Sequence, residues 1–186
     1  MMNTSKLLIS GCLVLCSSVP VSTFAAPLKP ASMTCAEFLT LGDAVKPKVL
    51  FWAEGFNQSG KPVDAVVDIG ETDTLVPVLV TECKKDPKAT LATTVAKHKE
   101  SSTKVAALPK PRAAQKPVTM SCAEFVQLDD VIQPKVVYWA EGYNKKGKPV
   151  DAVFDVAETD TLVPVVIDEC KTTPKLTFWE RVKSHL

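Results

Sequence analysis

Four cysteines, two pairs of carboxylates and two histidines are the residues of this 186-residue chain whose types and spacing invite chemistry. Cys35 and Cys83 stand 48 residues apart, and so do Cys122 and Cys170. Disulfide formation is the chemistry that spacing suits, because closing a loop of that length removes about 4 kcal/mol of chain entropy from the unfolded state. Four cysteines allow three pairings. A zinc site is the weaker reading, since the sequence has no Cys-x-x-Cys and each half supplies a single histidine. Glu71 with Asp73, and Glu158 with Asp160, have the types needed for acid/base work. No nucleophile or metal set accompanies them, so a solvated loop or a helix cap is the better assignment. His98 and His185 lack a ligand-spaced neighbour and fall near the ends of predicted terminal helices, where a cation suits the helix dipole. No catalytic constellation emerges, and the chain is expected to be neither an enzyme nor a cofactor carrier.

The residues just named come in pairs because the chain is a tandem duplication. Residues 33–99 recur as 120–186 at a constant offset of 87, without insertion or deletion and with 39 of 67 positions identical. Duplication of a self-contained unit favours Cys35–Cys83 and Cys122–Cys170 among the three pairings. Each module is near the size at which an apolar core alone is marginal and a covalent staple helps.

The segments outside the modules read differently. Residues 1–25 carry one charge, Lys6, then an apolar run from Leu7 to Leu15, and they end in Thr23-Phe-Ala25, a small-x-small cleavage pattern. This is the signature of a cleaved secretory signal, and a signal of this kind takes Cys12 and Cys16 with it. Ile9-Ser-Gly-Cys12 resembles a lipoprotein box, but it leaves too short an apolar stretch ahead of the cut. The run is also too short to span a membrane and is broken by Pro20. A soluble, exported protein is expected, in an oxidising compartment that permits disulfides. Residues 100–119, with Pro109, Pro111 and Pro117 among Ala, Ser, Lys and Gln, read as a flexible linker long enough for the modules to pack face to face. Both modules are net acidic while 91–119 is net basic, and the mature chain is formally neutral. Its basic residues lie without interleaved aromatics, which argues against nucleic-acid binding.

Within a module the signals are helical. Thr34-Cys-Ala-Glu37, Ser121-Cys-Ala-Glu124 and Thr177-Phe-Trp-Glu180 are capping boxes. The first predicts a helix carrying Cys35, Phe38, Leu39 and Leu41 inward. Pro47 and Pro134 suit the first position of the next helix, where Val49, Trp52, Ala53 and Phe56, and again Val136, Trp139, Ala140 and Tyr143, form one apolar face. Asn57-Gln-Ser-Gly60 and Asn144-Lys-Lys-Gly147 are turn chemistry. Pro62 and Pro149 are expected to open short helices through Val66–Val67 and Val153–Phe154. The stretch Glu71–Val76 is expected to be extended or irregular, because a residue before proline avoids helical angles, with Pro77 restarting a helix through Cys83. Thr90–Lys99 is the counterpart of the terminal helix. Strands in Val63–Ile69 and Val76–Val80 remain the alternative on β-branched content, but all-α is the expected class.

The order of a Thr-Cys-x-x-Phe box, a proline-led aromatic helix, Lys61-Pro-x-Asp-Ala-Val66 and a second cysteine 48 residues on, occurring twice, resembles the HdeA/HdeB family of periplasmic acid-stress chaperones. The resemblance covers nearly all of the chain after residue 33 apart from the linker. It implies two small, disulfide-stapled helical modules, inactive and paired at neutral pH, that open in strong acid and hold acid-unfolded periplasmic clients without ATP. It implies a client-binding and pairing surface made here of Leu50, Trp52, Phe56 and the segment Val66–Leu75, including Ile69 and Leu75. The second copy offers Val137, Trp139, Tyr143 and Val153–Leu162, including Val156 and Leu162. The family pattern has one module per chain, so the tandem arrangement leaves an internal pseudo-dimer or a homodimer as the expected self-association. The composition agrees with an acid switch, because protonating the carboxylates turns a neutral chain strongly positive, although most chains of this composition do the same. A two-headed protein-binding module active at neutral pH is the rival reading.

Overall fold

The computed structural model describes residues 27–58, 65–102, 114–145 and 152–186. The expected leader, the second halves of the two glycine turns and most of the linker lie outside these residues, while Asn57, Gln58 and Asn144 lie in the last turns of helices rather than forming parts of a turn. Eight helices are described: α1 (Cys35–Thr40), α2 (Val45–Gln58), α3 (Ile69–Lys85), α4 (Leu91–Ser102), α5 (Cys122–Phe125), α6 (Gln133–Asn144), α7 (Val156–Thr172) and α8 (Phe178–Lys183). Apart from four isolated β-bridges, the rest of the described backbone is turn and loop. The first four helices and the last four are two copies of one arrangement.

Each copy starts as its capping box directs. Thr34 and Ser121 accept from the amides of Glu37 and Glu124, whose carboxylates return to the cap amides at 2.7 and 2.8 Å. The last helix begins the same way, with Thr177 and Glu180. Cys35 bonds to Cys83 and Cys122 to Cys170, tying α1 to α3 and α5 to α7. A backbone pair closes each module: Cys35 N–H on Ala89 O and Leu91 N–H on Met33 O, both 2.8 Å, with Cys122 and Phe178 repeating it.

Three local expectations are corrected. Pro47 and Pro134 sit third and second in their helices rather than first, still within the turn whose amides have no intrahelical acceptor. Val66–Val67 and Val153–Phe154, expected within helices opened by Pro62 and Pro149, are non-helical, and Val67 and Phe154 each form a bridge. Glu71–Val76 and Glu158–Val163 are neither extended nor irregular. Asp68 and Asp155 cap helices that run unbroken through Pro77 and Pro164. An internal proline costs about 3 kcal/mol, and burial of Thr72, Leu75, Leu79 and Cys83 on one face of α3 offsets it. Leu39 and Leu41 are only half-buried, since α1 ends at Thr40.

The two copies pack together and share one core. Apolar residues from both, including Phe38, Trp52, Leu79, Phe125, Trp139 and Phe154, form a single buried cluster. Its centre is the crossing of α2 on α6. Positions 49–55 of α2 are buried all round rather than on one face, because one side meets its own module and the other meets α6.

Candidate functional site

The α2–α6 crossing can be built from its glycines. A methyl group placed on Gly55 would stand 1.9 Å from the Trp139 carbonyl oxygen, and one on Gly142 would stand 1.9 Å from that of Trp52. Backbone therefore lies on backbone, which only residues without a side chain permit. The close approach packs the aromatic rings around it. Trp52 stacks on Phe56 at 5.4 Å and Trp139 on Tyr143 at 5.0 Å, while Trp52 also reaches Phe154 of the other module at 6.1 Å. Both tryptophans are fully buried, and their indole N–H groups find no hydrogen-bond partner among the described residues. The contact is thus held by apolar packing, with two unmet donors each costing the closed form about 1–3 kcal/mol.

The residues expected to form an apolar surface are distributed as follows. Leu50, Trp52, Val137 and Trp139 are completely buried on α2 and α6. Phe56 and Tyr143 are partly buried at the ends of the same helices, against the core. Ile69 and Leu75 are buried on α3, whereas Val156 and Leu162 are partly buried on α7. Val66 and Val153 are partly exposed in the segments leading into those helices. The structure thus brings the aromatic members together between modules and leaves the valine-rich segments at its edge.

Sequence reasoning missed the polar groups that frame this contact. Lys48 on α2 pairs with Asp160 on α7 at 2.5 Å, and Lys135 on α6 pairs with Asp73 on α3 at 2.6 Å. These are the same pair written twice, each crossing from one module to the other. Each lysine also lies over an aromatic ring, Lys48 on Tyr138 and Lys135 on Phe51. The carboxylates are partly exposed, so each bridge contributes no more than about 1 kcal/mol. Asp73 and Asp160 are therefore pairing residues rather than an acid/base set. The signal was a lysine after proline in an otherwise apolar helix, present in both copies.

Two buried glutamates went unread as well. Glu54 and Glu141 lie on the buried stretch of α2 and α6, and each accepts from a threonine hydroxyl, Thr72 or Thr159. Burial pushes the Glu141 carboxyl up to about 7, against the lowering effect of Thr159 and Lys145. In the second module this carboxyl lines an open cavity of about 270 Å³ with Lys145, Glu158, Leu162 and His185. In the first, Gln58 stands where Lys145 does and bonds Glu54 and both backbone groups of Val66.

Exposed carboxylates behave oppositely. The Thr34 backbone amide, then its hydroxyl, holds Glu37 below the usual carboxylate range; Ser121 does so for Glu124 and Thr177 for Glu180. Lys46 and Lys85 lower Asp43 and Glu82 by hydrogen bonding and charge. No group of His, Cys, Asp and Glu among the described residues is arranged to hold a metal. His185 instead faces Glu169 at 3.1 Å.

Comparison with known proteins places this arrangement. The model of the HdeA/HdeB family matches the chain twice, over residues 7–93 and 94–180. The "Probable acid stress chaperone HdeA" of Brucella ovis is 40% identical over 74 residues, covering 40% of this chain and 65% of that protein. The "Acid stress chaperone HdeA" of Escherichia coli K12 is 37% identical over 72 residues, 38% of this chain and 66% of that protein. Each match thus spans just under two thirds of the relative. No solved structure matches the chain. The twice-matched family model, the twofold helical arrangement and the two 48-residue disulfide loops agree: the chain belongs to the HdeA/HdeB family and carries its domain in tandem.

Proposed function

We propose that the chain is an exported, ATP-independent chaperone that acid activates, releasing the α2 and α6 faces to hold unfolded periplasmic proteins. The observation that carries this reading is the apolar contact around Trp52 and Trp139, framed by Lys48–Asp160 and Lys135–Asp73. Strong acid removes carboxylate charge and leaves the two lysines facing each other's module unpaired. The relatives' names supply the acid-stress context.

The titration of the capping glutamates supports opening in acid. Glu37, Glu124 and Glu180 have lowered values when folded. Their stabilisation is present above the ordinary value of 4.5 and is lost as pH falls through the lower folded value. Acid therefore loosens the starts of α1, α5 and α8. Glu141 works the other way: its folded value is raised, so its contribution is complete below 4.5 and lost as pH rises through about 7. The disulfides, which do not titrate, limit how far each module opens. In this reading Leu50, Trp52, Phe56, Ile69, Leu75 and their second-module counterparts become the client surface.

Light scattering of an acid-labile client shifted to pH 2, beside a heat-aggregation control at pH 7, tests this. Suppression in acid alone is expected, and Trp52→Ser with Trp139→Ser should weaken it. Suppression at both pH values would instead identify a constitutive binder. Aggregation unchanged in both would remove the chaperone assignment.

A further inference from the structure

The contact between modules has a second layer that helix packing does not require. Ahead of each module lies a short arm, Leu28-Lys-Pro30 and Gln115-Lys-Pro117, at the same offset as the repeat. Each arm lies on the other module. Leu28 and Phe154 exchange two backbone hydrogen bonds of 2.8 Å, and Val67 and Gln115 exchange two of 2.8 and 2.9 Å. Pro30 and Pro117 are buried, and Leu28 and Val118 pack against the shared core. Thus 114–119, expected to belong to a free linker, are fastened to the first module before the chain enters the second.

Every element of the contact now appears twice: the glycine crossing, the lysine–aspartate bridge and the arm. That is the pattern of an isologous twofold interface, in which surface i meets j and j meets i. Here both halves are drawn from one chain, and among the described residues each of these elements is matched within it. The residues between Ser102 and Gln115 reach roughly 40 Å when extended, and such a tether supplies an effective concentration near millimolar.

We infer that the chain closes this interface on itself, as a monomer locked by its two exchanged arms, so that opening and reclosing are unimolecular events. The inference deepens the proposed function but depends on the pairing geometry, not on client binding. Tether closure makes the equilibrium independent of dilution, whereas two-chain pairing would follow mass action. The groups that face one another across the opening contact are Lys48 with Asp160 and Tyr138, and Lys135 with Asp73.

The test is sedimentation at neutral pH, with tryptophan emission during acid titration, over a roughly hundred-fold concentration range. One-chain mass and a constant midpoint are expected throughout. A two-chain mass, or a midpoint that moves with dilution, would overturn cis closure. Cutting a protease site inserted within 103–113 should then make the midpoint concentration-dependent, and an unchanged midpoint counts against the tether. Leu28→Pro and Gln115→Pro each delete one bridge donor. Each should move opening to higher pH while helix content at pH 7 stays constant; an unmoved midpoint would show that the arms are not locks. Client aggregation enters none of these readouts, so failure here is separable from failure of the chaperone reading.

Discussion

The two modules are near-copies in sequence, but they are not held alike. Tyr138 of the second donates a hydrogen bond to Asp160, which already pairs with Lys48; its counterpart Phe51 has no hydroxyl to offer Asp73. Tyr143 of the second packs edge-on against Trp179, whereas positions 56 and 92 of the first are Phe and Ala. Gln58 covers the buried Glu54, while Lys145 leaves Glu141 on a cavity. The framework of glycines, disulfides and capping boxes is common to both, and the difference lies in polar groups added around it. Packing defines the fold twice over, and the polar additions set how firmly each half is held.

Substitutions can break or sharpen that comparison. Removing either disulfide, Cys35→Ser with Cys83→Ser or Cys122→Ser with Cys170→Ser, should cost about 4 kcal/mol in urea unfolding, and equally, because both loops span 48 residues. Unequal losses would mean the modules unfold separately. Gly55→Val or Gly142→Val should cost about 2–3 kcal/mol and shift tryptophan emission to the red at neutral pH, again symmetrically, as each drives a side chain into backbone. Glu141→Gln should stabilise the fold above about pH 7, where the wild-type carboxyl ionises against its burial, and change little below 4.5. Urea midpoints across that pH range report it, and a gain persisting in acid would contradict the assigned burial. The smallest effect separates the halves directly. Tyr138→Phe should lose about 1 kcal/mol and make the second module resemble the first, while Phe51→Tyr should gain a similar amount.

What the sequence made legible was what is local or repeated. Capping boxes act within four residues, and all three formed as expected. The disulfide pairing followed from duplication. Proline misled, because local preference at Glu71–Val76 was overridden by burial along the face of α3. Hydrophobic periodicity found the helix bearing Trp52 but could assign it only one buried face, since the second face exists through contact with α6. Lys48 and Asp160 lie 112 positions apart, beyond any local pattern. The Lys-Pro arms fell just outside the module boundaries drawn at Met33 and Met120, although the same dipeptide precedes both. A single sequence shows that an element recurs without showing which copy it touches.

The hydrogen bond from Tyr138 to Asp160 has an evolutionary consequence. Where two identical chains meet across a twofold axis, every substitution arrives on both sides at once, and a change favourable on one side but harmful on the other is rejected. Covalent fusion lifts that restriction. Tyr138 stands where the first module has Phe51, and Phe154 where it has Val67. The gene duplication gave each face its own mutational history, so this interface is free to become a pair of complementary surfaces rather than one surface matched to itself.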